Sequence, residues 1–120
     1  MMKLDHLRLP VGDLARSRRW YVETLGLTVE FEVPERRTVA LQGTEDFTVF
    51  LQQVSGPIQP NGTALWFQVA DVDATFAAWS ARGVAFSHAP QKTYWGYGAE
   101  LSDPDGYLIR LWDERSMKEH

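Results

Sequence analysis

The stretch Asp5-His6-Leu7-Arg8-Leu9-Pro10-Val11-Gly12-Asp13-Leu14-Ala15-Arg16-Ser17 decides the fold. Leu7, Leu9 and Val11 alternate with His6, Arg8 and Pro10, the period of a strand over 4–11 with one apolar face. Asp13 stands where a helix N-cap belongs, its carboxylate able to accept from the free N–H groups of a first turn. A helix then runs from Leu14 to Leu25, with Leu14, Trp20, Tyr21 and Leu25 at helical spacing. Gly26 closes it, because glycine enters the left-handed region without a Cβ clash. Beyond lie Thr28–Val33, stopped by Pro34, then Thr38–Gln42 and Phe47–Gln53 on either side of a turn at Gly43-Thr44-Glu45-Asp46. The result is one β-α-β-β-β unit.

The same pattern then repeats. Val11-Gly12-Asp13 returns as Val69-Ala70-Asp71, and Val49-Phe50-Leu51 as Ile109-Arg110-Leu111. Leu65, Phe67 and Val69 alternate with Ala64, Trp66 and Gln68; Asp71 caps, and Val72, Phe76 and Trp79 follow at helical spacing up to Gly83. Strands are expected at Val84–Ser87, Ala99–Ser102 and Tyr107–Asp113, with a type I turn at Asp103-Pro104-Asp105-Gly106. Each half is too small to cover both sides of its own sheet. The expected fold is therefore α+β: two tandem βαβββ modules forming a curved, mostly antiparallel sheet around a concave cavity, with helices on the convex side. A single domain over 1–120 is expected, with module one at about 1–54, a turn-rich linker at 55–62 and module two at about 63–115.

Composition narrows the function. A chain of 120 residues has room for one ordinary domain. Twelve Lys and Arg against sixteen Asp and Glu leave a net charge of −4, which disfavours nucleic acid and anionic membranes as partners. The absence of cysteine excludes disulfides, thiolate metal sites and cysteine nucleophiles. Asp5 and His6 interrupt the run that a signal peptide needs, and no apolar stretch reaches a membrane span, so a cytoplasmic location is expected. Of the five Trp, four Tyr and six Phe, some fill the core, and whether all do is the question on which function turns. Trp20, Phe76 and Trp79 are assigned to helix–sheet contacts; Arg16, Arg18, Arg19, Arg36 and Arg37 are assigned to the surface.

The chain resembles the vicinal oxygen chelate superfamily, which includes glyoxalase I, extradiol dioxygenases, fosfomycin-resistance enzymes and bleomycin-resistance proteins. The likeness rests on the opening stretch, on Trp20-Tyr21 with Leu25-Gly26-Leu27, and on Val69-Ala70-Asp71-Val72-Asp73-Ala74, Gly83-Val84 and Asp103-Pro104-Asp105-Gly106-Tyr107-Leu108-Ile109. In metal-dependent members, four cavity-facing positions supply His and Glu ligands. Here the resemblance maps them to His6, Phe50 (or Gln52, two residues on), Ala64 and Arg110. One donor survives of four, where a catalytic zinc site takes three protein ligands. His88 and Glu100 complete no triad with His6, so no metal and no cofactor are expected.

Strand parity places His6, Arg8, Phe50, Gln52, Trp66, Gln68, Arg110 and Trp112 on the concave side, with Thr48 and Leu108. The opposite parity is aliphatic. Rings mixed with donors and two guanidiniums have the composition of a small-molecule site. Tyr94-Trp95-Gly96-Tyr97-Gly98 reads as a loop, which either closes over the cavity with Trp95 or seals a dimer interface. The resemblance implies a homodimer.

Two functions compete. One is a binding protein of the bleomycin-resistance kind that sequesters an aromatic or polycyclic ligand without metal. The alternative is a glyoxalase- or dioxygenase-like enzyme using a degenerate metal site or His6 as acid and base.

Overall fold

The computed structural model describes residues 1–44 and 47–120; Glu45 and Asp46, half of the turn expected at 43–46, lie outside the described residues. The chain divides into two compact units, Met1–Gln59 and Pro60–His120. Each carries a βαβββ module. The first contains β1 (His6–Val11), α1 (Leu14–Glu23), β2 (Thr28–Val33), β3 (Thr38–Gln42) and β4 (Thr48–Gln53). The second contains β5 (Ala64–Gln68), α2 (Val72–Ala81), β6 (His88–Thr93), β7 (Gly96–Ser102), β8 (Leu108–Trp112) and a further short helix, α3 (Glu114–Glu119). The fold is α+β, with two four-stranded mixed sheets of order β1-β4-β3-β2 and β5-β8-β7-β6. No helix among the described residues is long and apolar enough to cross a membrane.

The two modules are built alike down to register. β1 pairs with β4 in parallel and places Arg8 beside Phe50; β5 pairs with β8 in parallel and places Trp66 beside Arg110. In module one, Leu9, Val11, Val39, Leu41, Val49 and Leu51 share the buried face, and α1 packs against β3 and β4. Tyr21, wholly buried, is the main aromatic anchor of α1, while Trp20 is half-buried and meets it edge-on at 5.1 Å. In module two, Leu65, Leu101, Ile109 and Leu111 are buried, and α2 packs against β6 and β7. Phe76 and Trp79 of α2 meet Phe86, with ring centroids 4.8 and 6.3 Å apart.

The helix ends follow the sequence. Asp13 and Asp71 accept from the Arg16 and Ala74 N–H groups. After α1 and α2, Gly26 and Gly83 take φ values of +78° and +91°, which L side chains rarely adopt. The first helical N–H of each long helix is satisfied from across the fold. Leu14 N–H donates to Gln53 Oε1 at 3.0 Å, and Val72 N–H donates to Asp113 Oδ2 at 2.6 Å. Gln53 ends β4 and Asp113 follows β8, so the strand that pairs in parallel with the module's first strand also caps its helix.

Three sequence expectations are corrected. Val84–Ser87 is not a strand; the strand is β6, six residues that include Pro90. Proline forfeits a ladder donor, which argues against a strand, but β6 is an edge and its register shifts between His88 and Gln91. Tyr94–Gly98 is not a loop throughout: Gly96, Tyr97 and Gly98 begin β7, and only Tyr94-Trp95 makes the turn from β6. The chain also does not stop at a last strand, since Asp113 caps α3 by accepting from Ser116 N–H.

Candidate functional site

In module one, the sheet face opposite α1 carries His6 and Arg8 from β1, Thr48, Phe50 and Gln52 from β4, and Thr38 from β3. A β-bulge between Val29 and Phe31 resets the parity of β2, bringing Phe31 and Val33 to this face as well. Phe50 is its hub. The His6 ring stacks on it with centroids 4.2 Å apart, and Phe31 meets it edge-on at 5.6 Å. His6 Nδ1 also lies 3.0 Å from Asp5 Oδ2. Arg8 Nε donates to Gln52 Oε1 at 2.6 Å, and Gln52 Nε2 donates to the Arg36 carbonyl at 3.3 Å. Together Arg8, Val33, Arg36, Thr38, Phe50 and Gln52 line a groove of about 190 Å³.

In module two, the equivalent face carries a guanidinium enclosed by rings. Arg110, 8% exposed, lies 4.8 Å from the Trp66 centroid, 5.5 Å from Tyr94 and 5.6 Å from Trp95. Its Nε donates to Glu100 Oε1 at 2.9 Å, and its Nη1 donates to the Tyr94 hydroxyl at 3.0 Å. Burial alone would lower the Arg110 pKa, but the bonds to Glu100 and Tyr94 outweigh it, and the shift is upward. Each cation–ring contact contributes about 0.5–2 kcal/mol, more as water is excluded. Gly98 is the condition for this enclosure: a Cβ there would run into the Leu111 carbonyl oxygen and the Trp95 ring. The glycines that suggest a loop in the sequence instead mark close packing. Gly96 likewise leaves the space that the Met117 thioether fills.

The structure therefore brings the expected site residues into two groups. His6, Arg8, Phe50 and Gln52 gather on module one; Trp66, Trp95 and Arg110 gather on module two. Gln68 and Trp112 are register partners on the latter face, Gln68 exposed and Trp112 half-buried. Glu100 gives Arg110 a partner within the chain. Arg36, assigned to the surface, proves to line the groove. Its carbonyl accepts from Thr38 Oγ1, two residues on, and from Gln52 Nε2 of β4, the latter a non-local bond with no sequence signal.

The residues at the family's metal positions do not fit a metal ion. Phe50 and Ala64 offer no donor, Arg110 is a fixed cation, and His6 leans on a ring. Among the described residues, no group of three or more His, Cys, Asp or Glu could hold one.

Comparison with known proteins places the fold. TnmS3, an antibiotic binding protein from Streptomyces sp. CB03234, is 29% identical over 94% of this chain and 96% of its own, with a TM-score of 0.78. Protein ATC0852 from Agrobacterium tumefaciens is 28% identical over 94% and 98%, with a TM-score of 0.73. A Sphaerobacter thermophilus DSM 20745 member of the glyoxalase/bleomycin resistance protein/dioxygenase superfamily, 24% identical over 95% and 98%, shares the fold with a TM-score of 0.75. No curated protein matches the chain. The family model of that same superfamily matches residues 3–111, nearly the whole sequence that forms the paired modules. This chain belongs to the Glyoxalase/Bleomycin resistance protein/Dioxygenase superfamily.

Proposed function

We propose that this chain is a cytoplasmic protein that binds, and by binding sequesters, a flat aromatic or polycyclic small molecule without a metal ion. One observation carries the reading. On each module, the register pair at the centre of the open face joins a guanidinium to an aromatic ring, Arg8 with Phe50 and Trp66 with Arg110. Apolar walls with a few fixed donors suit a planar ligand. Trp66 is 46% exposed, so its outer face remains open for stacking. The antibiotic-binding relative, similar over nearly all of both chains, supports small-molecule binding. On module two, Trp95 meets Trp66 edge-on, and Gln68 and Trp112 share its face; on module one, His6 stacks on Phe50 and Gln52 shares its face.

Tryptophan fluorescence titrated with anthraquinone-2-sulfonate tests the proposal. Saturable quenching is expected, weakened about two- to tenfold in Trp66→Ala and in Trp112→Ala, the range set by one stacking contact. Quenching that does not saturate, or affinity unchanged in both variants, refutes it. The contact of His6 with Asp5 favours a second reading, proton transfer by the imidazole. Turnover of the methylglyoxal–glutathione hemithioacetal, lost in His6→Asn, would establish that reading instead. The chain is further proposed to act as a homodimer, and light scattering is expected to give twice the mass of 13.7 kDa.

A further inference from the structure

The two guanidinium–ring pairs differ in charge balance. Arg110 is neutralised by Glu100 and enclosed by rings. Among the described residues, no carboxylate lies within ion-pair distance of Arg8 or Arg36, whereas Arg18 and Arg115 have Glu32 and Asp71. Both unpaired arginines line the module-one groove, whose other walls are Val33, Thr38, Phe50 and Gln52. A chain of net charge −4 thus keeps a groove with two cations and no acid.

The groove is also braced. Gln52 Oε1 holds Arg8 at Nε, which leaves the paired terminal nitrogens of the guanidinium as its remaining donors. Gln52 Nε2 and Thr38 Oγ1 both donate to the Arg36 carbonyl, fixing the backbone from which that side chain springs. Arg37, next in sequence, takes the left-handed conformation, with φ +49°, where the chain turns back into β3. The volume of about 190 Å³ is well below the roughly 300–1,000 Å³ of pockets for drug-sized ligands. It suits a single ring or one end of a larger molecule.

We infer that this groove is an anion-recognising subsite, taking a carboxylate or sulfonate carried on an aromatic ring, with the ring against Phe50 and the anion at Arg8 and Arg36. The inference rests on the ligand-binding reading above and adds the charge of the ligand and the module that reads it. Guanidinium presents a planar fork of donors that matches a carboxylate or sulfonate edge.

Three naphthalene probes of the same size separate the possibilities: naphthalene-1-sulfonate, naphthalene-1-methanol and 1-naphthylmethylammonium. Binding is followed by amide shifts in ¹H–¹⁵N spectra. The sulfonate is expected to bind about tenfold or more tightly than the alcohol, with the ammonium weakest, and to move the amides of Arg8, Val33, Thr38, Phe50 and Gln52. That preference should vanish in Arg36→Gln, an exposed position whose spectrum reports an intact fold, and in Arg8→Gln. It should also weaken as salt is raised. Equal affinity for all three probes overturns the subsite and leaves the ligand-binding reading standing. So do shifts centred on Trp66 and Trp95 with the Arg36→Gln variant unaffected. Failure of every probe, with anthraquinone-2-sulfonate also silent, overturns both.

Discussion

Asp113→Ala is expected to lower the melting temperature by about 10–15 °C, a loss of about 3 kcal/mol. The carboxylate is 1% exposed and serves two helices at once. Oδ2 accepts from Val72 N–H at 2.6 Å and from the Ser116 hydroxyl at 3.0 Å; Oδ1 accepts from Ser116 N–H at 2.6 Å. Removing it leaves a buried donor at the start of α2 and uncaps α3. Gln53→Ala, at the equivalent place in module one, removes a single bond and should cost about 1 kcal/mol. Differential scanning calorimetry measures both, and equal losses would show that the double cap adds nothing.

The same group makes stability depend on acid. Burial alone would push the Asp113 carboxyl up. The bonds from Val72 N–H, Ser116 N–H and the Ser116 hydroxyl, with the Arg115 charge, outweigh it and hold the carboxyl below its ordinary range. A depressed carboxyl contributes its full stability above the unfolded value, about 3.9, and loses it as pH falls through the folded value. The wild type and Asp113→Asn should therefore differ by a constant amount from pH 7 to about pH 4 and converge below that. Parallel curves down to pH 2 would contradict the assignment.

A comparable loss is expected from breaking the Arg110–Glu100 pair. The two side chains are 10% and 17% exposed, and their atoms meet at 2.9 Å. Arg110→Met leaves the carboxylate with no counter-charge, and Glu100→Leu leaves the guanidinium among rings alone. Each should cost about 3 kcal/mol, because an unpaired buried charge bears its full desolvation penalty. The double variant should regain most of that, since an apolar pair of similar volume fills the same space. Urea unfolding of the four proteins yields the coupling. Additive losses would mean that the pair contributes through its packing and not through its charge.

Much of the fold is legible in sequence because it is local. Asp13 and Asp71 announce helix starts, Gly26 and Gly83 announce their ends, and alternation in 6–11 and 64–68 separates the buried face from the open one. The features that resisted reading are non-local. Pro90 argues against a strand until β6 is known to be an edge with a bulge. Gly96 and Gly98 imitate a loop until Met117 and Trp95 are found against them. The parity of β2 cannot be tracked through its bulge, so Phe31 escapes notice as a neighbour of Phe50. For the candidate site, alternation alone identifies Arg8, Phe50, Trp66 and Arg110 as sharing one side of their sheets. That Glu100 faces Arg110 requires the antiparallel register of β7 with β8, and that Arg36 reaches the groove requires the path between β2 and β3.

The ring and the guanidinium trade places between the copies: the first strand bears the cation in module one and the ring in module two. Single replacements can convert one arrangement into the other by two routes. One passes through a pair of rings side by side, which gains an aromatic contact; the other passes through two guanidiniums on neighbouring strands, which repel. The consequence is an asymmetry in what each position tolerates. Trp66→Arg would set a like charge beside Arg110, whereas Arg8→Phe would set a second ring beside Phe50.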